Sequence, residues 1–225
     1  MRQHPLKVTM FHKQRGASLI SLMIGVLVSM LCILGTMVMH KSLIQVSVEA
    51  KSDAEHDSKV ASAMLRLQLG LQNAGFGIDD AGADDIVVAY AGTTRDLLWR
   101  YVDEDSGNVT CRGVRELVYT DTDSGVAGRN LVKIGAATGC TEEAALTGLN
   151  WTSGDSIARF RNQANPIFSF TVSIAACAPY GLGVSENHLI VTVTAPSSAV
   201  LANTEEGLNN IDQTSFAFCL TNTRL

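Results

Sequence analysis

Residues 17–39 read ASLISLMIGVLVSMLCILGTMVM, 23 residues without a formal charge. No other feature limits the fold of this chain so strongly. As a helix rising 1.5 Å per residue the run spans about 35 Å, enough for a hydrocarbon core of roughly 30 Å. Arg2, Lys7, Lys13 and Arg15 precede it, and the first 41 residues contain no Asp or Glu. The positive-inside rule therefore leaves residues 1–16 in the cytoplasm and carries the rest of the chain across the membrane. A secretory signal would have a shorter apolar core with a small-x-small cleavage site close behind it. Met37-Val38-Met39-His40-Lys41 is a poor site of that kind.

Charged residues make up 17% of the 225, against about a quarter in ordinary globular chains. The deficit is local. Residues 42–225 hold twelve Lys and Arg against all 22 acids, a net charge of −10. A basic, apolar N-terminus joined to an acidic body excludes a plain cytosolic domain. It also excludes a nucleic-acid binder built on a broad basic face. The body is rich in Val, Ile, Leu and Phe at strand-like spacing, which excludes disorder.

The junction before the apolar run is more specific. Lys13-Gln14-Arg15-Gly16 is followed at once by Ala17-Ser18-Leu19-Ile20-Ser21-Leu22-Met23-Ile24. A basic stretch ending in Gly at the edge of an apolar helix resembles the type IV prepilin signal. The resemblance implies cleavage by a prepilin peptidase between Gly16 and Ala17, methylation of Ala17, and an assembly helix that begins with Leu19, Ser21 and Leu22. Gly fits such a cleft because it brings no Cβ against the protease. The family usually has Glu at the fifth mature position, where this chain has Ser21. In the family that Glu pairs with the terminal amine of a neighbouring subunit. Members that lack it tend to be minor subunits that initiate or cap the filament.

Past Lys41 the helix is expected to continue to Ala74. Residues 42–73 contain no Pro and a single Gly, Gly70. Val60, Met64, Leu67 and Leu71 form one apolar stripe, with Ala61 and Leu65 widening it. Residues 49–59, EAKSDAEHDSK, are polar all round and read as an exposed or bent neck. Asn73-Ala74-Gly75 is a stop signal, with Gly able to take the left-handed conformation. Beyond it the pattern turns to period two. Strands are expected at 86–90, 97–102, 114–119, 131–134, 157–160, 167–174, 189–194 and 216–220, separated by Gly, Asn, Asp and Ser clusters. One long helix followed by strands makes the fold class α+β, a helix packed on an antiparallel sheet. The parts are then a leader at 1–16, a membrane or assembly helix at 17–41, an amphipathic helix at 42–75 and a strand-rich head at 76–225. This architecture matches the pilin family. Leu65-Arg66-Leu67-Gln68-Leu69-Gly70-Leu71-Gln72-Asn73-Ala74-Gly75-Phe76-Gly77 resembles the helix end of the PilW group of minor pilins.

Five cysteines are present. Cys32 lies in the apolar run and reads as a small buried hydrophobe. Cys111, Cys140, Cys177 and Cys219 fall in the exported body, an even number in an oxidising compartment. Four cysteines permit three pairings. Cys111–Cys140 with Cys177–Cys219 is favoured because sequence neighbours cross-link most easily. No C-x₂-C pair suggests zinc. The acidic turn at 79–85 clusters carboxylates that could hold Ca²⁺ but lacks the spaced oxygen ladder and terminal Glu of an EF-hand. The turn at 121–125 has D-x-D-x-G spacing and reads as a solvated Asx-turn. His188, the one histidine beyond residue 75, reads as structural rather than as a base. No G-x-S-x-G, H-E-x-x-H or phosphate-cradling loop occurs, so neither catalytic residue nor cofactor nor metal is expected.

The resemblance implies a structural subunit, a minor pilin of a type IV pilus initiation or tip complex. Its partners would be other minor and major pilins, the prepilin peptidase and the inner-membrane assembly platform. Its head would lie in the periplasm before assembly. A minor pseudopilin of a type II secretion system shares the signal and the architecture. An uncleaved, signal-anchored periplasmic binding protein is the alternative from a different class.

Overall fold

The computed structural model describes residues 19–122, 125–179, 183–198 and 213–223. Helix α1 runs from Leu19 to Leu71. Among the described residues eight strands follow: β1 (Ile86–Ala91), β2 (Thr94–Val102), β3 (Val109–Thr120), β4 (Ala127–Ala136), β5 (Trp151–Arg161), β6 (Ser169–Cys177), β7 (Glu186–Pro196) and β8 (Gln213–Cys219). The fold is α+β with every strand pair antiparallel. Each expected strand is present and most are longer than the apolar run that marks them. The reason is that cross-strand hydrogen bonding continues through polar residues once the apolar centre has fixed the register.

The strands form two sheets, not one: β1-β2-β3-β4-β5 in sequence order, and β6-β7-β8. The chain also divides into two units, one ending at Val48 and the other beginning at Glu49. In the first, every described residue is exposed. The second contains the head and its core.

Two apolar clusters build that core on opposite faces of the larger sheet. In the first, Met64, Leu67 and Leu71 of α1 meet Leu97 and Val114 of the larger sheet and Val191 of the smaller. The second holds Leu98, Cys111, Val132, Ile134 and Leu146. Leu97 and Leu98 enter different clusters because successive strand residues point to opposite faces. Along β7, Leu189, Val191, Val193 and Ala195 are buried alternately, the period-two signature of a sheet covered on one side.

On α1 the buried stripe is His56, Val60, Ala63, Met64, Leu67 and Leu71. Ala61 and Leu65 do not widen it; Leu65 is 59% exposed. The stripe widens toward Ala63 and His56 instead, since both lie at 100° steps on that side of Val60. The expected polar neck is mostly exposed, as expected, but it is not bent and one of its residues is buried. The helix is continuous through 49–59, and His56 is buried, its Nε2 2.9 Å from the Pro196 carbonyl and its ring 5.3 Å from that of Phe160.

Regular helix ends at Leu71, three residues before the expected stop. Turns carry the chain through residues 72–77. Gly75 has φ +78° and donates its N–H to the Arg100 carbonyl at 2.9 Å. A Cβ at this position would stand 3.0 Å from the Cβ of Ala81, so the tight space and the left-handed conformation both call for Gly. In β3, a Cβ at Gly113 would meet the Leu97 carbonyl at 2.8 Å, so no side chain fits there.

Candidate assembly surface

Between Leu19 and Val48, α1 presents its apolar side chains to the outside. Leu19 is 75% exposed and Leu22 64%. An 18-residue stretch of this helix meets the length and hydropathy of a membrane span, and none of its residues is buried. A helix that is apolar all round needs lipid or other helices around it.

Size and polarity together distinguish one face of the segment from the rest. At about 100° per residue, every small side chain between Leu19 and Met39 falls in one arc of roughly 120°. These are Ser21, Gly25, Ser29, Cys32, Gly35 and Thr36. Val28 and Met39 share the arc; the rest of the circumference carries only Leu, Ile, Val and Met. Small residues let two helix backbones approach closely in a membrane, while the large ones suit acyl chains. Thr36 already satisfies its hydroxyl by donating to the Ile33 carbonyl at 2.8 Å. Nothing approaches the Cβ positions of Gly25 and Gly35 within 4 Å.

The residues expected to act in assembly therefore divide. Ser21 belongs to the small face, and Leu19 and Leu22 to the large one. Gly16 and Ala17 lie outside the described residues. Cys32, expected to be buried, is exposed and unbonded in the single chain, because only lipid or another helix could cover it. Mean hydropathy along the run hid the small face. Sorting the run around the helix, by side-chain volume or by polarity, reveals it.

In the head, disulfides join Cys111 to Cys140 and Cys177 to Cys219. The first ties β3 to the loop after β4. Arg100 holds the same loop, donating from Nη1 to the Thr141 carbonyl at 2.6 Å while its Nε lies 2.9 Å from Asp85. The second ties the last residues of β6 and β8, the two edges of the smaller sheet.

The acidic turn at 79–85 is structural at its end. Asp85 accepts the Gly82 N–H at 2.7 Å, and Asp84 offers its carbonyl to Arg100. Asp121 of the second acidic turn lies 3.2 Å from Arg161; Asp123 and Ser124 lie outside the described residues. His188 is buried and its Nδ1 contacts the Thr223 carbonyl.

Several buried charges were not legible as such. Glu116 is fully enclosed, and its two carboxylate oxygens accept the N–H groups of Ile167 and Phe168 at 2.7 and 3.0 Å. This clamps the segment between β5 and β6 onto β3, which explains why the strand expected from 167 begins at Ser169. Burial, above all, pushes the Glu116 carboxyl above its ordinary pKa; the two N–H groups, Arg129 and Arg95 act against it. Arg129 is buried too and donates to the Ala164 and Thr93 carbonyls. Arg115 forms a two-pronged pair with Asp96 at 2.9 and 2.7 Å, which raises its pKa.

Comparison with protein-family models, curated proteins and solved structures gives no match to this chain.

Proposed function

We propose that this protein is a membrane-inserted filament subunit of the type IV pilin kind, a minor pilin acting in pilus initiation or at the tip. One observation carries the reading. A fully exposed apolar helical segment continues without a break into the helix that forms the core of a disulfide-bonded, two-sheet head. Such a chain can be held in a bilayer with its head in an oxidising compartment. It can exchange lipid for neighbouring helices without remodelling the head. The basic stretch ending at Gly16 supports processing before Ala17. Ser21 supports a low-copy place, because a hydroxyl offers a buried terminal amine about half the strength of a charge-assisted bond.

Mass spectrometry of the N-terminus from the native host tests the reading. The expected chain begins at methylated Ala17, and Gly16→Val is expected to retain the leader. An intact Met1 in the wild-type protein would overturn the pilin reading. Immunogold labelling tests position: label is expected at pilus ends, and label along the whole shaft would overturn the tip assignment.

A further inference from the structure

A groove of about 560 Å³ opens in the head beside α1, over the same face of the larger sheet. The strand register builds it. Trp99 on β2 lies opposite Arg112 on β3, and Arg112 lies opposite Gly135 on β4. Val114 lies opposite Lys133, which puts Arg112 and Lys133 on a diagonal of one sheet face, about 7–8 Å apart at the backbone. Arg66 and Leu69 of α1 form one wall. Glycines keep the space open. A Cβ at Gly135 would stand 3.1 Å from the Arg112 guanidinium, and one at Gly70 would stand 3.2 Å from the Trp99 ring.

The charge of this groove runs against the chain. Arg66, Arg112 and Lys133 line it with a single acid, Asp155, in a body whose net charge is −10. Among the described residues, neither Arg112 nor Lys133 forms an ion pair or a side-chain hydrogen bond, and both are exposed. The other arginines of the larger sheet's interior, Arg100, Arg115 and Arg129, all have acceptors. Trp99, 4% exposed, has its indole N–H buried without an acceptor. Buried donors in native proteins nearly always have partners, so the Trp99 N–H, on a residue that borders the groove, is an exception. Leu69, 59% exposed, adds an apolar wall.

We infer that this groove binds an acidic polypeptide segment, with a Glu or Asp carboxylate held between Arg112 and Lys133 and an apolar neighbour against Leu69. Two free cations on a diagonal suit one carboxylate, and the apolar wall favours a peptide over a simple anion. The geometry lies wholly within residues 66–157 and does not depend on the filament reading.

The test uses the full chain in detergent micelles. Isothermal calorimetry measures binding of acetyl-Leu-Glu-Glu-Leu-amide, its Leu-Gln-Gln-Leu counterpart and inorganic phosphate. Trp99 fluorescence in a Trp151→Phe background reports on the groove itself. The Glu peptide is expected to bind with submillimolar Kd, to shift Trp99 emission and to weaken as salt rises. Arg112→Gln with Lys133→Gln is expected to raise Kd at least tenfold, and Arg112→Lys with Lys133→Arg to restore most of it. Circular dichroism melts of these surface variants check that they fold. Four results would overturn the inference: no binding of the Glu peptide at millimolar concentration, equal binding of the Gln peptide, phosphate binding as tight as the peptide, or a Kd unchanged by the double substitution.

Discussion

Leu27 and Leu65 sit on the same helix and are almost equally exposed, at 60% and 59%. Leu27 is surrounded by other exposed apolar side chains on every side. Leu65 stands on the outer face of a turn whose inner face buries Met64 and Leu67. Exposure therefore means two things along one helix. Around Leu65 it is the ordinary outer face of an amphipathic element, tolerable in water because the stripe beneath it is covered. Around Leu27 there is no covered side at all, so the segment is stable only where the surroundings are themselves apolar. The head supplies its own core; the segment needs one from outside.

The largest effects should come from breaking the head's own core and covalent ties. Cys177→Ser opens a loop of sequence separation 42, and in the chain-entropy model that loss amounts to about 4 kcal/mol. Leu67→Ala, at a site 1% exposed, should cost the head about 3–4 kcal/mol through lost burial and a cavity. Urea melts of the full chain in detergent measure both. Cys32→Ala and Leu27→Ala should leave those melts unchanged, because neither side chain belongs to the head's core clusters. A shift of more than about 0.5 kcal/mol from either would break the comparison.

Lysine sharpens it from the other side. Leu27→Lys places a charge near the middle of the apolar run, where insertion costs about 3 kcal/mol. Membrane retention after carbonate washing should fall, with the head's melting unaltered. Leu65→Lys should change neither retention nor, beyond about 0.5 kcal/mol, stability. Equal loss of retention from both substitutions would mean that the membrane-facing segment extends into the head's helix.

The eight strands were readable because apolar residues alternate or cluster between turn-forming residues. Their division into two sheets was not, because alternation fixes which face of a strand is buried and not which strand it joins. The segment 162–168 leaves the first sheet after β5, and the signal for that departure is the carboxylate of Glu116, 51 positions from Ile167. His56 was hidden for a similar reason. Inside EAKSDAEHDSK it looks solvated, and its burial depends on a carbonyl at Pro196, at the far end of the fold. The membrane-length run was plain from hydropathy along the chain, whereas its small, weakly polar face appears only when the residues are sorted around the helix. The basic groove comes from cross-strand register, which sets Arg112 and Lys133 on one diagonal although they lie 21 positions apart in the chain.

The smallest expected effect separates the two regions by pH. Residues 19–39 contain no Asp, Glu, His, Lys or Arg, so any carboxylate-linked pH dependence of stability belongs to the head. Glu116 is the group to follow. Its carboxyl is held above the ordinary value of 4.5, chiefly by burial. An acid with a higher pKa folded than unfolded makes the folded state bind its proton more tightly. Its contribution to stability is therefore greatest below about pH 4.5 and declines as pH rises from there toward the folded pKa. Glu116→Gln removes the titration. Gln keeps one carbonyl oxygen, so either the Ile167 or the Phe168 N–H loses its acceptor, at a cost of about 1–2 kcal/mol. The variant should thus be less stable than wild type near pH 4.5, and the gap should narrow as pH rises toward 8, because the wild type alone must then bury a charge. Paired urea melts across that range read the gap directly. A gap that widens with pH would mean that the two N–H groups and Arg129 outweigh burial, so that Glu116 is held as a carboxylate whose ionised form stabilises the clamp on residues 167–168.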